Sequence, residues 1–244
     1  MTSKLSPLEY PFERIPGSFV YDPNATTGDG FKELERAELN EAIKSNPHWI
    51  LSYGSNSAKI QLIDKFKGKV AGEIYGVDAT LEGYDVVFGY HISQKGYIPA
   101  TLESSSKTSV PCHILLLTDD QLKELNIGEG YKRENKPDVY NLKEIDISKI
   151  KFASPFEDSK IKKEIKKIET YFLKNNYLLS NGNPIALSVV QASGRIWPDK
   201  TEKELLSFLA KREGFSLDEF VEELKKNESF RHRIKESLGS LSLL

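Results

Sequence analysis

Two short stretches of the 244-residue chain carry residue types suited to chemistry. In the first, the apolar run His48-Trp49-Ile50-Leu51-Ser52 ends abruptly at Tyr53-Gly54-Ser55-Asn56. A tight loop of small polar residues ahead of a helix presents backbone N–H groups and the positive end of the helix dipole, which suits a carboxylate or phosphate. The same residues also make an ordinary strand-to-helix turn, with Gly54 supplying an unusual φ and Ser55 or Asn56 capping the helix. In the second stretch, Glu129 stands between Gly128 and Gly130, just past the end of an expected helix. Glycines on either side let the backbone turn sharply and leave room around the carboxylate. An ordinary surface glutamate in a glycine-rich turn is the plainer account.

Other chemistries lack their residues. His48, His91, His113 and His232 show no metal-ligand spacing. The single cysteine, Cys112, excludes an internal disulfide, and its neighbours Val110, Ile114 and Leu115 make it a packed strand thiol. Ser55 lacks a Gly-x-Ser-x-Gly elbow, and there is no phosphate-binding or dinucleotide loop. The expectation is therefore no metal and no cofactor. A formal net charge of −2 disfavours nucleic acid as a partner. The Lys-rich stretch near 160–167 and Arg195-Ile196-Trp197 are local exceptions, and glutamates interleave the lysines as on a solvated helix face. No run approaches the ~20 apolar residues of a membrane span, and the first residues lack a signal-type apolar core. A cytoplasmic protein with no membrane partner is expected.

The elements that must position the two stretches follow from periodicity. Seven Pro and Gly residues within 1–30 predict an extended arm, and the stripe Phe31, Leu34, Ala37, Leu39, Ala42, Ile43 predicts a helix ending before Pro47. His48–Tyr53 reads as a buried strand and Ala58–Phe66 as a helix. Tyr84–His91, Tyr97–Leu102 and Val110–Leu117 read as three short antiparallel strands, punctuated by Gly and Ser clusters. Thr118-Asp119-Asp120-Gln121 is a capping box opening a helix to about Asn126, and Asp138–Ile147 is a further strand. Beyond Ser148, Ile161, Ile165, Ile168 and Phe172 predict a helix, and capping boxes at Thr201/Glu204 and Ser216/Glu219 open two more. The fold class is α+β: a small mixed, partly closed β-barrel with flanking helices and a C-terminal helical extension. The expected organisation is an arm and helix over 1–46, a core domain over 47–149, and a helical extension or small domain over 150–244.

Taken in order, these features resemble the gamma-glutamylcyclotransferase fold family, also called AIG2-like or BtrG-like. The resemblance rests on Tyr53-Gly54-Ser55-Asn56 at a strand end, strands like Tyr84–Gly89, Gly96–Thr101 and Val110–Leu117, and Leu125, Glu129, Gly130, Tyr131 and Arg133 in a Leu-Asp-x-x-Glu-Gly-type signature. It covers about residues 48–147. Asn126 stands where the family usually has Asp, and the tyrosine that some members contribute from after the shared core matches no position. The resemblance implies cyclisation of a γ-glutamyl amide to 5-oxoproline with release of an amine, with Glu129 as general acid/base. It implies Tyr53, Gly54, Ser55 and Asn56 as substrate-binding residues, Tyr131 and Arg133 as further pocket residues, and a small γ-glutamyl compound as partner. A homodimer is compatible with the sequence. The alternative is a non-catalytic binding module on the same fold, its C-terminal helices contacting a partner.

Overall fold

The computed structural model describes residues 5–131, 137–157, 159–174 and 176–238. Its strands are β1 (Phe19–Tyr21), β2 (Phe31–Glu33), β3 (His48–Ser52), β4 (Ile74–Phe88), β5 (Ala100–Leu117), β6 (Tyr140–Ile145), β7 (Ile150–Phe152), β8 (Ile168–Leu173), β9 (Leu179–Ser180), β10 (Asn183–Pro184), β11 (Ala186–Leu187) and β12 (Asp199–Lys200). Its helices are α1 (Arg36–Ser45), α2 (Lys59–Phe66), α3 (Asp119–Glu129), α4 (Ser159–Glu164), α5 (Glu202–Glu213), α6 (Leu217–Lys226) and α7 (Glu228–Ser237). The fold is α+β, as expected, and the sheet is mixed: most pairs are antiparallel, while β3–β8 and β11–β12 are parallel.

The dominant feature is the β4–β5 hairpin, whose register runs from Tyr75↔Leu116 to Phe88↔Ala100 with one irregularity between Glu82 and Tyr84. The sequence reading of three short strands is corrected here. The Ser-rich stretch 103–109, read as punctuation, lies inside β5: Glu103, Ser104 and Ser109 pair with β4, and 105–108 form the irregularity between them. Their hydroxyls are accommodated locally, with Ser105 Oγ and Thr108 Oγ1 2.6 Å apart and buried. The other edge of β4 is shared end to end by β1 at Ile74–Gly76, β7 at Ala79–Leu81 and β11 at Val87. The main path, β12-β11-β4-β5-β3-β8-β6, is open at both ends, so the expected partly closed barrel is an open sheet among the described residues.

Three further readings change. The arm expected over 1–30 supplies β1 to the sheet, and the expected helix from Phe31 begins only at Arg36 because Phe31–Glu33 pairs with β1. The helix expected over 161–172 stops at Glu164, and Ile168–Leu173 becomes β8, wedged between β3 and β6. Apolar spacing fitted both forms; Thr170 and the aromatic pair Tyr171-Phe172 suit a strand, and the free edge of β3 decided it. Strands from 1–46, 47–149 and 150–244 thus share the sheet, and the C-terminal helices α5 to α7 follow its last strand.

Two apolar clusters cover the sheet. One joins Val77, Ile114 and Leu116 to Leu205, Leu209, Phe220 and Ile234 of the C-terminal helices, and the other joins Ile50, Leu115 and Leu117 to Leu62, Phe66 and Leu125 of α2 and α3. Both capping boxes beyond residue 200 form, as does the one at Thr118/Gln121. Arg195, read as a possible nucleic-acid contact, is instead bound bidentately to fully buried Asp85, at 2.9 Å from each carboxylate oxygen. Among the described residues no helix is long and apolar enough to cross a membrane, and no cluster of His, Cys, Asp or Glu side chains is arranged to hold a metal ion.

Candidate functional site

The strand β3 is buried on both faces, and its end delivers Tyr53-Gly54-Ser55-Asn56 into a cleft. Ser55–Ser57 form a single 3₁₀ turn, anchored by Ser57 Oγ donating to Ser52 O at 3.0 Å. Gly54 has φ −127° and ψ −136°, so the turn does not depend on a left-handed φ, and Ala58, not Ser55 or Asn56, caps α2. Both capping roles suggested by the sequence are therefore set aside. The amides of Gly54, Ser55 and Asn56 donate to no backbone acceptor among the described residues.

Glu129 is the last residue of α3, which runs three residues further than expected. Gly130 closes the helix in the left-handed region, φ 67°, sending its N–H back to Asn126 and Ile127 carbonyls. The helix end brings Glu129 against the Tyr53–Asn56 loop. Asn56 Nδ2 donates to Glu129 Oε1 at 3.0 Å, and both residues line a small cleft with Tyr10, Ala100, Tyr140, Thr170 and Tyr171. The cleft adjoins a larger cavity of about 450 Å³ that Ser55, Glu129, Tyr10 and Tyr140 also line.

A third partner was absent from the sequence reading. Lys65 of α2 makes an ion pair with Glu129 Oε1, and its ammonium also donates to Asn56 Oδ1 at 2.6 Å. Three side chains thus close a ring of hydrogen bonds in which Oε1 takes two donors, while Oε2 has no partner among the described residues. The Lys65 side chain is 6% exposed and that of Glu129 14%, so the pair is largely removed from water. Gly128 makes this possible: a Cβ there would lie 3.1 Å from Lys65 Cε and 3.3 Å from Cδ. The sequence signal was present, since Gln61 and Lys65 sit at i, i+4 on the same buried stripe as Leu62 and Phe66. Polar residues on a buried helix face require partners.

Five tyrosines surround the carboxylate. Tyr53 Oη donates to Tyr171 O at 2.6 Å, Tyr171 Oη to Asn126 Oδ1 at 2.7 Å, and Tyr140 Oη to Ala100 O at 3.1 Å, while Tyr10 Oη accepts from Ala100 N at 2.8 Å. Tyr10 stacks on Tyr97 with ring centroids 4.3 Å apart. Burial raises the pKa of all five phenols above the ordinary range, and the nearby Glu129 charge adds to each. They therefore stay neutral and shape the cleft as fixed dipoles rather than as bases. Tyr10 comes from the arm and Tyr171 from β8, both outside the stretch that carried the resemblance. Tyr131 lies against Tyr171 at the cleft's margin, centroids 6.3 Å apart, and Arg133 lies outside the described residues.

No family model and no curated protein matches the chain. Solved structures do. The chain is similar to a gamma-glutamyl cyclotransferase. That likeness has 18% identity, covers 78% of this chain and 98% of the other, and has a TM-score of 0.40. An uncharacterized protein from Homo sapiens matches with 19% identity over 77% of this chain and 98% of its own, TM-score 0.40. A protein from Arabidopsis thaliana, solved in solution, matches with 19% identity over 74% and 93%, TM-score 0.34.

The histidines take part in none of this ring. His48 Nε2 lies 2.6 Å from Asp119 Oδ1, and His113 Nε2 2.9 Å from the Gly17 carbonyl. Cys112 is fully buried, and burial pushes its thiol up to about 12, which suits an inert packed side chain.

Proposed function

We propose that the chain is an enzyme of the γ-glutamylcyclotransferase type, acting on a small γ-glutamyl amide with Glu129 as general acid/base. The observation that carries this reading is the 3.0 Å hydrogen bond from Asn56 to Glu129, which joins two stretches 73 residues apart in one cleft. In the reaction, the substrate's α-amine attacks its own γ-carbonyl carbon. A C–N bond forms to close the five-membered lactam, the C–N bond to the leaving amine breaks, and no water is consumed. The proton lost by the attacking ammonium passes to Glu129 and then to the departing nitrogen.

The demands on the protein are modest. Ring closure is intramolecular, so holding the folded geometry supplies up to ~7–11 kcal/mol, and a positioned acid/base adds about 10²–10⁴-fold. Oε2 is the oxygen left to move the proton, because Oε1 is held by Lys65 and Asn56. The amides of Gly54, Ser55 and Asn56, which donate to no backbone acceptor among the described residues, would receive the substrate carboxylate or the developing oxyanion, and the buried phenol ring of Tyr53 would form the floor. The lone, buried thiol fits a reducing compartment, in keeping with a cytoplasmic location.

One observation favours the second reading, a binding module that has kept the fold. A carboxylate already neutralised by a buried ammonium is also what a purely structural pair looks like. The Glu129→Gln variant separates the two. It should abolish release of 5-oxoproline from a panel of γ-glutamyl amides while the protein stays folded by circular dichroism. Turnover unchanged in that variant, or no turnover of any donor by the wild-type protein, rejects the enzymatic reading.

A further inference from the structure

The hydrogen bonds of the small cleft leave one donor without an acceptor. Tyr10, Tyr53, Tyr140 and Tyr171 all line this cleft. Tyr53, Tyr140 and Tyr171 each donate to a protein acceptor, and the neighbouring Thr170 hydroxyl donates to Leu51 O at 2.8 Å. Tyr10 differs: its oxygen accepts from Ala100 N at 2.8 Å, and its own proton meets no acceptor among the described residues. The residue is only 5% exposed, so little bulk water reaches that proton. A Cβ built on Gly54 would lie 3.7 Å from Tyr10 Oη, which sets the hydroxyl directly against the Tyr53–Asn56 loop.

The arm that carries Tyr10 is fixed to the same loop. Ile15 N donates to Ser57 O at 2.8 Å, Arg14 forms a bridge to Ala58 and donates to Cys112 O at 2.8 Å, and the Tyr10 ring stacks on Tyr97. Phe12, two residues on, is held at φ 71°, a left-handed backbone that is costly for an aromatic residue and persists only where its surroundings over-determine it. We propose that Tyr10 is a catalytic residue supplied by the arm, its hydroxyl donating to the substrate's γ-carbonyl oxygen as the amine attacks. The inference rests on the cyclotransferase reading and adds a donor from outside the stretch that resembles the family. On attack, the carbonyl π pair moves onto oxygen. Tyr10 meets that charge with a hydrogen bond and keeps its proton, while Glu129 carries the proton between the two nitrogens. Burial raises the phenol's pKa well above its ordinary range, so it remains a donor, and the bond from Ala100 N polarises it toward stronger donation.

The test sets Tyr10→Phe beside Tyr140→Phe. Both variants remove a hydroxyl bonded to the backbone of Ala100, but only Tyr10 has a proton left for a ligand. With the best γ-glutamyl amide of the panel, Tyr10→Phe should lower kcat about 10²-fold, the effect of losing one oxyanion donor, and change KM by less than ~3-fold. Tyr140→Phe should lower kcat by less than ~10-fold, the effect of loosening one neutral hydrogen bond. A phosphinate analogue of the tetrahedral intermediate gives a readout without turnover: Tyr10→Phe should weaken its binding about 10²-fold. Equal losses in the two variants would show that the hydroxyl only holds Ala100 in place. That result, a loss confined to KM, or unchanged phosphinate binding overturns the role of Tyr10 and leaves the cyclotransferase reading standing. Turnover of no donor by the wild-type protein overturns both.

Discussion

Replacing Lys65 with Met is the sharpest test of the hydrogen-bonded ring. Methionine keeps an unbranched side chain against Gly128 and removes only the ammonium. What remains is a carboxylate with 14% of its side chain exposed, still held by the single Asn56 bond at 3.0 Å. Removing one partner from a buried ion pair costs roughly 3–5 kcal/mol because the other charge is left uncompensated. The cleft on the Oε2 side gives Glu129 some access to water, which places the expected loss near the lower end, about 3 kcal/mol. For a chain of this size that is a fall in Tm of roughly 6–12 °C. The assay is urea unfolding of wild type, Lys65→Met, Glu129→Gln and the double variant at neutral pH. The double variant, with no charge left to strand, should recover most of the loss and give a coupling energy of at least ~1.5 kcal/mol. A loss under ~1 kcal/mol with no coupling would show that the pair is a surface-type contact. The account of the site would then be wrong.

Gly128→Ala places a methyl 3.1 to 3.5 Å from three carbons of the Lys65 stem and so should displace its ammonium. Alanine also improves helix propensity by about 1 kcal/mol, so stability should change by less than ~1 kcal/mol while 5-oxoproline release falls at least ~10-fold; full activity would show that the lysine's placement is immaterial. The fully buried His113 has its pKa lowered from 6.5 to about 4, first by burial and then by the Arg14 charge. A base whose folded pKa is depressed binds protons better unfolded, so stability is full above pH ~6.5 and is lost as pH falls toward ~4, by an amount on the order of 3 kcal/mol. His113→Gln keeps a donor for the Gly17 carbonyl and should flatten that slope between pH 6.5 and 4 in urea unfolding. An unaltered slope would assign the acid sensitivity elsewhere.

The halves of the site were legible in the sequence because each is local: a buried strand halted by small polar residues, and a capped helix ended by glycine. Their meeting was an inference from order, and the Asn56–Glu129 bond agrees with it. What escaped was everything that depends on partners distant in sequence. Lys65 is one lysine among many in the sequence, and only its burial beside Leu62 and Phe66 sets it apart. Tyr10 sat in a proline-rich arm with no periodicity to place it, and Tyr171 in a stretch whose apolar spacing fitted a helix until β3 offered it an edge. Serines in 103–109 suggested a loop, yet Ser104 and Ser109 pair with β4 and only 105–108 bulge out of the ladder between them.

The shared edge of β4 has a consequence for any attempt to cut this protein down. Three short strands from residues 19–21, 150–152 and 186–187 cover that edge in succession. A fragment limited to 47–149 keeps Glu129, Lys65 and the Tyr53–Asn56 loop, but strips all three coverings and also removes β8 from β3. Bare, long ladder edges recruit other chains. The arm and the late strands therefore cover ladder edges that residues 47–149 alone would leave bare, and with Tyr10 and Tyr171 they supply two walls of the cleft.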